Sequence, residues 1–315
     1  MQDVFMGTFQ IAKKTATSFF RTTFLITGFI TGLGFGLQSV LADDQINPAL
    51  WKLSDEDSEV WIFGTVHALD PNLQWRTEKI KQAFASADSY YMEAPVADAT
   101  PETMVPLLQK YAFNKSGIPF YDQLTPADRG NFVRALNSLG IPEEAMQNFA
   151  NLRPWFTAVT LAGIQMQAEG LNPEAGVDKA LWEDAKAAGK ELGYLETLEQ
   201  QLRIFGNMTP EEDLAMFNSS MVQLVEDTDM LDQLFVYWKT GQIEELAALM
   251  NASFDGQDRI KAALLDDRNA NWAEKIEDIM RGSGTAFIAV GAGHLGGDQS
   301  LQWYLERLGY EVVRQ

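Results

Sequence analysis

Residues 287–310 read FIAVGAGHLGGDQSLQWYLERLGY. An apolar run ends in glycines set around one histidine, and an amphipathic helical pattern follows. Two readings compete. Gly291, Gly293 and Gly296 spell G-x-G-x-x-G, a dinucleotide signature. Gly291 to His294 spell G-x-x-H, a turn that carries a metal ligand. The first reading needs a second strand that ends in a ribose-binding acid, and further strands beyond it. Here Gln315 closes the sequence just after the would-be second strand, and Glu311 lies at that strand's start. The second reading gains support from elsewhere in the chain.

There are only two histidines, and both follow the same pattern. His67 closes WIFGTVH and His294 closes FIAVGAGH, each with glycine three residues earlier and an apolar strand before that. Glycine makes up 24 of 315 residues, so two unrelated histidines would both carry it at that position with odds of about 0.6%. A glycine turn at a strand end lets the backbone bend sharply and approach a ligand. A histidine there projects over the sheet edge, where α/β proteins place their sites. Two such ends side by side would join imidazoles that are 227 residues apart in sequence. Neutral imidazole is a common metal ligand.

Two histidines do not complete a divalent site, and strand-end carboxylates are the natural supplement. Glu93 ends SYYMEAP and Glu196 ends ELGYLET. Each follows an apolar or aromatic strand, where an unpaired charge is costly. Glu93 reads as third ligand or general base, and Glu196 as a supporting residue or alternative base. Glu199, one helical turn on, reads as a surface or capping residue. Arg268, in LLDDRNANWAEKIEDIM, clamps a substrate carboxylate, phosphate or oxyanion, buffers the acids, or pairs locally with Asp266, Asp267 or Glu274. Asn269 carries the same ambiguity. The tryptophans, Trp272 among them, read as core.

Composition narrows the classes. The formal net charge of −20 argues against a nucleic-acid partner, which needs a basic footprint. The absence of cysteine excludes disulfides, thiolate zinc sites, Fe–S clusters and thiol nucleophiles. Any metal must be held by His, Asp, Glu or backbone oxygen. At the N-terminus, Lys13, Lys14 and Arg21 precede an uncharged stretch from Thr22 to Ala42, and Val40 and Ala42 suit a cleavage site. Residues 1–42 therefore read as a cleaved export signal, with a membrane anchor as the alternative. Localisation is then periplasmic or secreted, with no other membrane contact.

Along residues 43–315, strand patterns appear at LWKL and EVWIFGT, at SYYM, at ELGY, at TAFIAV and at YEVVRQ. The acidic run SDEDSE reads as a hairpin tip and lacks calcium-loop spacing. Helical patterns fill residues 100–190 and 197–282, punctuated by Pro101, Pro119, Pro126, Pro142, Pro154 and Pro173. The expected fold is α/β, or α+β: one domain whose mixed central sheet is built from both chain ends, with a large helical insertion at about residues 100–190.

The segments LWKLSDEDSEVWIFGTVHAL, YYMEAP, GVDKALWEDAKAAGKELGYLETLEQQL, LLDDRNANWAEKIEDIM and GTAFIAVGAGHLGGDQSLQWYLERLGYEVV together resemble the TraB/PrgY/GumN family, which includes the Tiki-type proteases. The likeness runs over about residues 49–313 and is strongest to bacterial GumN-type proteins. It implies a fold similar to the erythromycin-esterase and ChaN-like proteins, with His67, Glu93 and His294 as the active centre. It also implies a metal-dependent protease using manganese or cobalt, zinc or iron being the other candidates for this donor set.

The leading expectation is an exported metal-dependent hydrolase, peptidase-like, acting on a peptide or small molecule. One alternative is a non-catalytic protein that binds a peptide, haem-type iron or a glycan. Another is an accessory factor in polysaccharide export.

Overall fold

A computed structural model describes residues 46–315 apart from Thr228. The expected export segment lies outside the described residues. Strands β1 (Leu50–Ser54) and β2 (Ser58–Thr65) form a hairpin. Its acidic tip is closed by its own side chain: the Asp55 carboxylate accepts from the N–H groups of Asp57 and Ser58 at 3.2 and 2.8 Å. This is turn chemistry that aspartate favours. With β3 (Ser89–Met92), β4 (Glu191–Tyr194), β5 (Gly284–Gly291) and β6 (Val313–Arg314) they form one sheet, in the order β4-β3-β5-β2-β1-β6. Strands β4, β3, β5 and β2 are mutually parallel; β1 runs antiparallel to β2, and β6, antiparallel to β1, returns to the direction of the others. This is the mixed α/β sheet that the sequence pattern implies.

Helix α1 (Glu78–Ser86), capped by Thr77, links β2 to β3. One helical run, α2 (Pro101–Tyr111), α3 (Pro126–Ser138), α4 (Pro154–Ala168) and α5 (Val177–Ala187), separates β3 from β4. Pro101, Pro126 and Pro154 each open a helix, where the missing N–H costs nothing. A second run, α6 (Leu198–Gly206), α7 (Pro210–Glu226), α8 (Met230–Thr240), α9 (Ile243–Ala252), α10 (Asp258–Lys261) and α11 (Asp267–Met280), separates β4 from β5. Helix α12 (Leu301–Arg307) follows β5. Helices α10 and α11 are joined by a π turn at Ala262–Asp266, in which the Asp267 N–H reaches back to Ala262 O. Such turns insert an extra residue and re-aim the side chains that follow. Among the described residues no helix is long and apolar enough to cross a membrane.

The main core lies on the sheet. Leu50, Leu53, Ile62, Phe63, Tyr90, Phe287, Ile288 and Val290 pack into one cluster, with Leu181, Trp182, Ile276, Leu301 and Leu305 from the helices. Phe287, on the central strand, meets Tyr90 of β3 in a stacked pair at 6.3 Å and Phe63 of β2 at 6.0 Å. These contacts couple the strands on either side of β5. A second cluster, around Phe120, Phe132, Phe149 and Phe217, lies wholly among helices.

One element is shorter than its pattern suggests. The alternation in YEVVRQ predicts a strand over 310–315, but only Val313 and Arg314 pair, with Lys52 and Trp51. β1 is itself only five residues long, and a short, charged edge is an ordinary protection against further strand addition.

Candidate active site at the sheet edge

The parallel strands end along one edge, and each is followed by a polar residue. Met92 is in register with Tyr194 and with Ala289, and Thr65 with Gly291. Glu196, Glu93, His294 and His67 therefore lie past the ends of β4, β3, β5 and β2, in the order in which those strands stand in the sheet. This is the crevice in which open α/β sheets bind ligands.

His294 sits in the single 3-10 turn Ala292–Leu295 and is 5% exposed. Its Nδ1 stands 2.7 Å from Asn269 Oδ1. The Asn269 amide nitrogen donates to Gln299 O at 2.9 Å and to His294 O at 3.4 Å, which orients the amide with its oxygen towards the ring. Nδ1 therefore carries the proton, and the Nε2 lone pair accepts from Arg268 Nη1 at 3.1 Å. Burial and then the Arg268 charge push the His294 pKa down to about 3, so the ring is neutral at pH 7. Trp272 packs on it with ring centroids 4.4 Å apart. The Trp272 indole N–H is buried and helps to favour the charged form of Glu196.

Glu93 is gripped from two sides. Its Oε1 accepts from Gly291 N–H at 2.7 Å, and its Oε2 from Arg268 at 2.6 Å and Gln201 at 3.3 Å. Burial works against its charge. The opposing pull of Arg268, His294, His67 and the Gly291 N–H prevails and brings the pKa down to about 2. A side chain at Gly291 would press on Glu93 Oε1 at 3.2 Å, so glycine is what permits this approach. Glu196, also buried, has its pKa raised, because burial outweighs its bonds to Arg268.

Arg268 joins these groups. Nη2 donates to Glu93 Oε2 at 2.6 Å and Glu196 Oε1 at 2.5 Å, Nε donates to Glu196, and Nη1 serves Leu264 O and His294 Nε2, both at 3.1 Å. A guanidinium has five N–H donors, and all five are engaged. Its face lies over Trp272 at 4.5 Å. The local partners Asp266, Asp267 and Glu274 are not the ones it takes. In this arrangement it has no N–H left for a substrate oxygen.

His67 stands apart from the bonded cluster, though near enough for its charge to act on Glu93 and His294. Its side chain is 71% exposed, and its Nδ1 lies 3.3 Å from Asp178 Oδ1. Asp178 raises its pKa to about 9, an effect moderated in practice by the water around the ring. The first turn of α5 is clamped on His67: Val177 N–H donates to Val66 O at 2.9 Å, and a Cβ at Gly176 would lie 2.5 Å from His67 O.

The edge thus brings together Glu93, Glu196, Arg268 and His294, with His67 alongside. Asp178, Gln201 and the partnering role of Trp272 escape a reading of the sequence. Asp178 is an acidic residue in a helix's first turn, which by itself signals only a favourable helix dipole.

Among the described residues no three His, Asp or Glu side chains surround one point closely enough to hold a metal ion. The donor chemistry nevertheless fits a divalent cation. His294 offers a neutral Nε2 with its far N–H bound to a fixed acceptor, the usual outer support of a ligating histidine. Glu93 is ionised, and His67, beside Asp178, would have to release a proton to ligate. The guanidinium of Arg268 is the cation to which Glu93 and His294 turn.

The chain is similar to Metalloprotease TIKI2 of Danio rerio, 20% identical over an alignment that covers 80% of this chain and 57% of the relative. It is also similar to Metalloprotease TIKI1 of Xenopus tropicalis, 21% identical over 85% of this chain and 62% of the relative. The chain thus spans about three-fifths of the length of these curated relatives. No solved structure matches it. Residues 49–314, which carry every strand of the sheet and all the edge residues described above, match the TraB/PrgY/gumN family, and the chain belongs to that family.

Proposed function

We propose that this protein is an exported, metal-dependent hydrolase of peptidase type, acting in the periplasm or outside the cell. His67, Glu93 and His294 would hold one divalent ion, with manganese, cobalt, zinc or iron as candidates. The observation that carries the reading is the pair of strand-end histidines, each with Nδ1 beside a side-chain oxygen (Asp178 for His67, Asn269 for His294), flanking an ionised Glu93. The distant metalloprotease relatives support the same class of chemistry.

When bound, such an ion supplies an acidified water and polarises the scissile carbonyl. The residues divide the remaining work. Glu93 stays charged over the whole working range and serves as an anionic ligand. Glu196, with its pKa raised by burial, is the carboxylate able to carry a proton to or from the reacting water. Two carboxylates whose environments push their pKa values apart is the usual basis for assigning ligand and base. Asn269 keeps His294 in the tautomer that leaves Nε2 unprotonated.

The test is metal content of the purified protein beside the His67→Ala/His294→Ala double variant, followed by a peptide-hydrolysis screen. About one equivalent of a transition metal, lost in the variant, is expected. Absence of metal from both, after reloading with each ion in turn, would remove the hydrolase reading.

A further inference from the structure

The cluster of Glu93, Glu196 and His294 already surrounds a cation, the Arg268 guanidinium. We propose that Arg268 is a tethered competitor for the metal position: a divalent ion enters this cluster by exchange with the guanidinium, and the folded, metal-free protein is held closed by it. This deepens the metal-dependent reading above and rests on it.

Three observations carry the inference. First, the contacts match those of a bound cation. Arg268 Nη2 lies 2.6 and 2.5 Å from carboxylate oxygens on two different strand ends, and Nη1 lies 3.1 Å from Nε2, the unprotonated ring nitrogen of His294. A metal ligated by His294 needs the same Nε2 lone pair, the one the neutral ring offers, and would draw on the same two carboxylates. Both cannot be served at once, because a guanidinium and a divalent ion at that distance repel. Second, the site is built rather than incidental. Arg268 is 11% exposed, Glu93 12% and Glu196 7%, and the fifth donor is taken up by Leu264 O within the π turn that precedes Arg268. Third, the arginine has something to give when it moves. All five of its N–H groups are spent in the closed state, so exchange both opens the ligands and frees donors for a substrate oxygen. Buried Trp272 packs against both the guanidinium and the His294 ring.

The experiment measures Mn²⁺ and Co²⁺ binding to the full chain by calorimetric titration, with the visible spectrum of bound Co²⁺ as an independent readout. Wild type is compared with Arg268→Met, which keeps an apolar stem over Trp272 and removes the charge. The proposal expects the variant to bind at least about tenfold more tightly, as removal of a positive charge at hydrogen-bond distance requires. It also expects binding to be lost on adding His294→Ala. Arg268→Met leaves two buried carboxylates unpaired, so Arg268→Met/Glu196→Gln, with one such charge removed, is measured in parallel, and circular dichroism verifies folding of both. If the folded variants bind no more tightly than wild type while His294→Ala abolishes binding, the metal site stands and the exchange is wrong. If no protein in the series binds either ion, both the exchange and the metal-dependent reading fall.

Discussion

Asn269 holds His294 by its far ring nitrogen, Oδ1 to Nδ1 at 2.7 Å, while its amide nitrogen is bound to two backbone carbonyls. The amide has one orientation that satisfies all three bonds, and it dictates which imidazole nitrogen is protonated. Asn269→Leu, nearly isosteric, is expected to leave the ring N–H buried and unpaired, at a cost of about 1–3 kcal/mol. Urea denaturation measures that cost. Ring ¹⁵N spectra report the tautomer directly, since only two histidines contribute.

The ion pairs of Arg268 predict a pH-dependent mutant. Arg268→Ala should destabilise the protein by about 3–5 kcal/mol at pH 7, because it leaves Glu93 and Glu196 buried and charged. Protonating the two carboxylates removes that penalty. The gap between variant and wild type should therefore narrow as urea midpoints are taken from pH 7 to pH 5. A gap that stays constant would mean the loss is one of packing over Trp272.

The two histidines should shape the stability profile in opposite senses. His294 is held at about 3 against an ordinary 6.5, and Glu93 at about 2 against 4.5. For both, the unfolded chain takes up protons first as the pH falls. Their contribution is complete above pH 6.5 and is lost on acidification, from 6.5 through 3 for His294 and from 4.5 through 2 for Glu93. His67, raised to about 9, works the other way: its contribution is complete below 6.5 and disappears as the pH rises through 9. The alkaline arm should be the shallower, because the His67 ring is largely in water. Melting temperatures against pH should show both arms, and Asp178→Ala should flatten the alkaline one alone.

Gly176 is a packing requirement for the site. Its backbone φ of −53° suits any residue, but a methyl group there would meet His67 O at 2.5 Å. Gly176→Ala should push the start of α5 away from His67 and separate Asp178 from the ring. A destabilisation of about 1–3 kcal/mol is expected from overpacking, together with a fall in the His67 pKa followed by NMR titration.

The edge residues were legible because each combines two local signals, an apolar strand and a glycine or polar residue just past its end. That suffices to nominate His67, Glu93, Glu196 and His294 without any knowledge of the sheet. Their partners were less legible, although Arg268 could be read as a buffer for the acids. Arg268 has acids at close helical spacing, and these were the natural candidates, yet it pairs with residues 72 and 175 positions away. The π turn ahead of it changes which way the helix faces, and spacing alone does not reveal such a turn. Asp178 looks like an ordinary first-turn carboxylate until the start of α5 is bound at Val66, just past the end of β2. Trp272 is core, as its type suggests, at 1% exposure, but its ring also contacts His294 and Arg268. In each case the missing information is the packing of a helix on a distant strand.

The strand order has a consequence for how the chain acquires this structure during synthesis. β2 and β3 do not pair with each other; both pair with β5, which lies between them. Until residue 284 has been made, the nascent chain can form the β1–β2 hairpin and the β3–β4 pair only as separate pieces with a gap where the central strand belongs. Closing that gap joins segments more than 190 residues apart, a slow, high-contact-order step. It also delivers Gly291 N–H to Glu93 and His294 to Arg268. The last strand needed to complete the middle of the sheet is thus the one that assembles the site, and a chain truncated before it would expose two unpaired strand edges to aggregation.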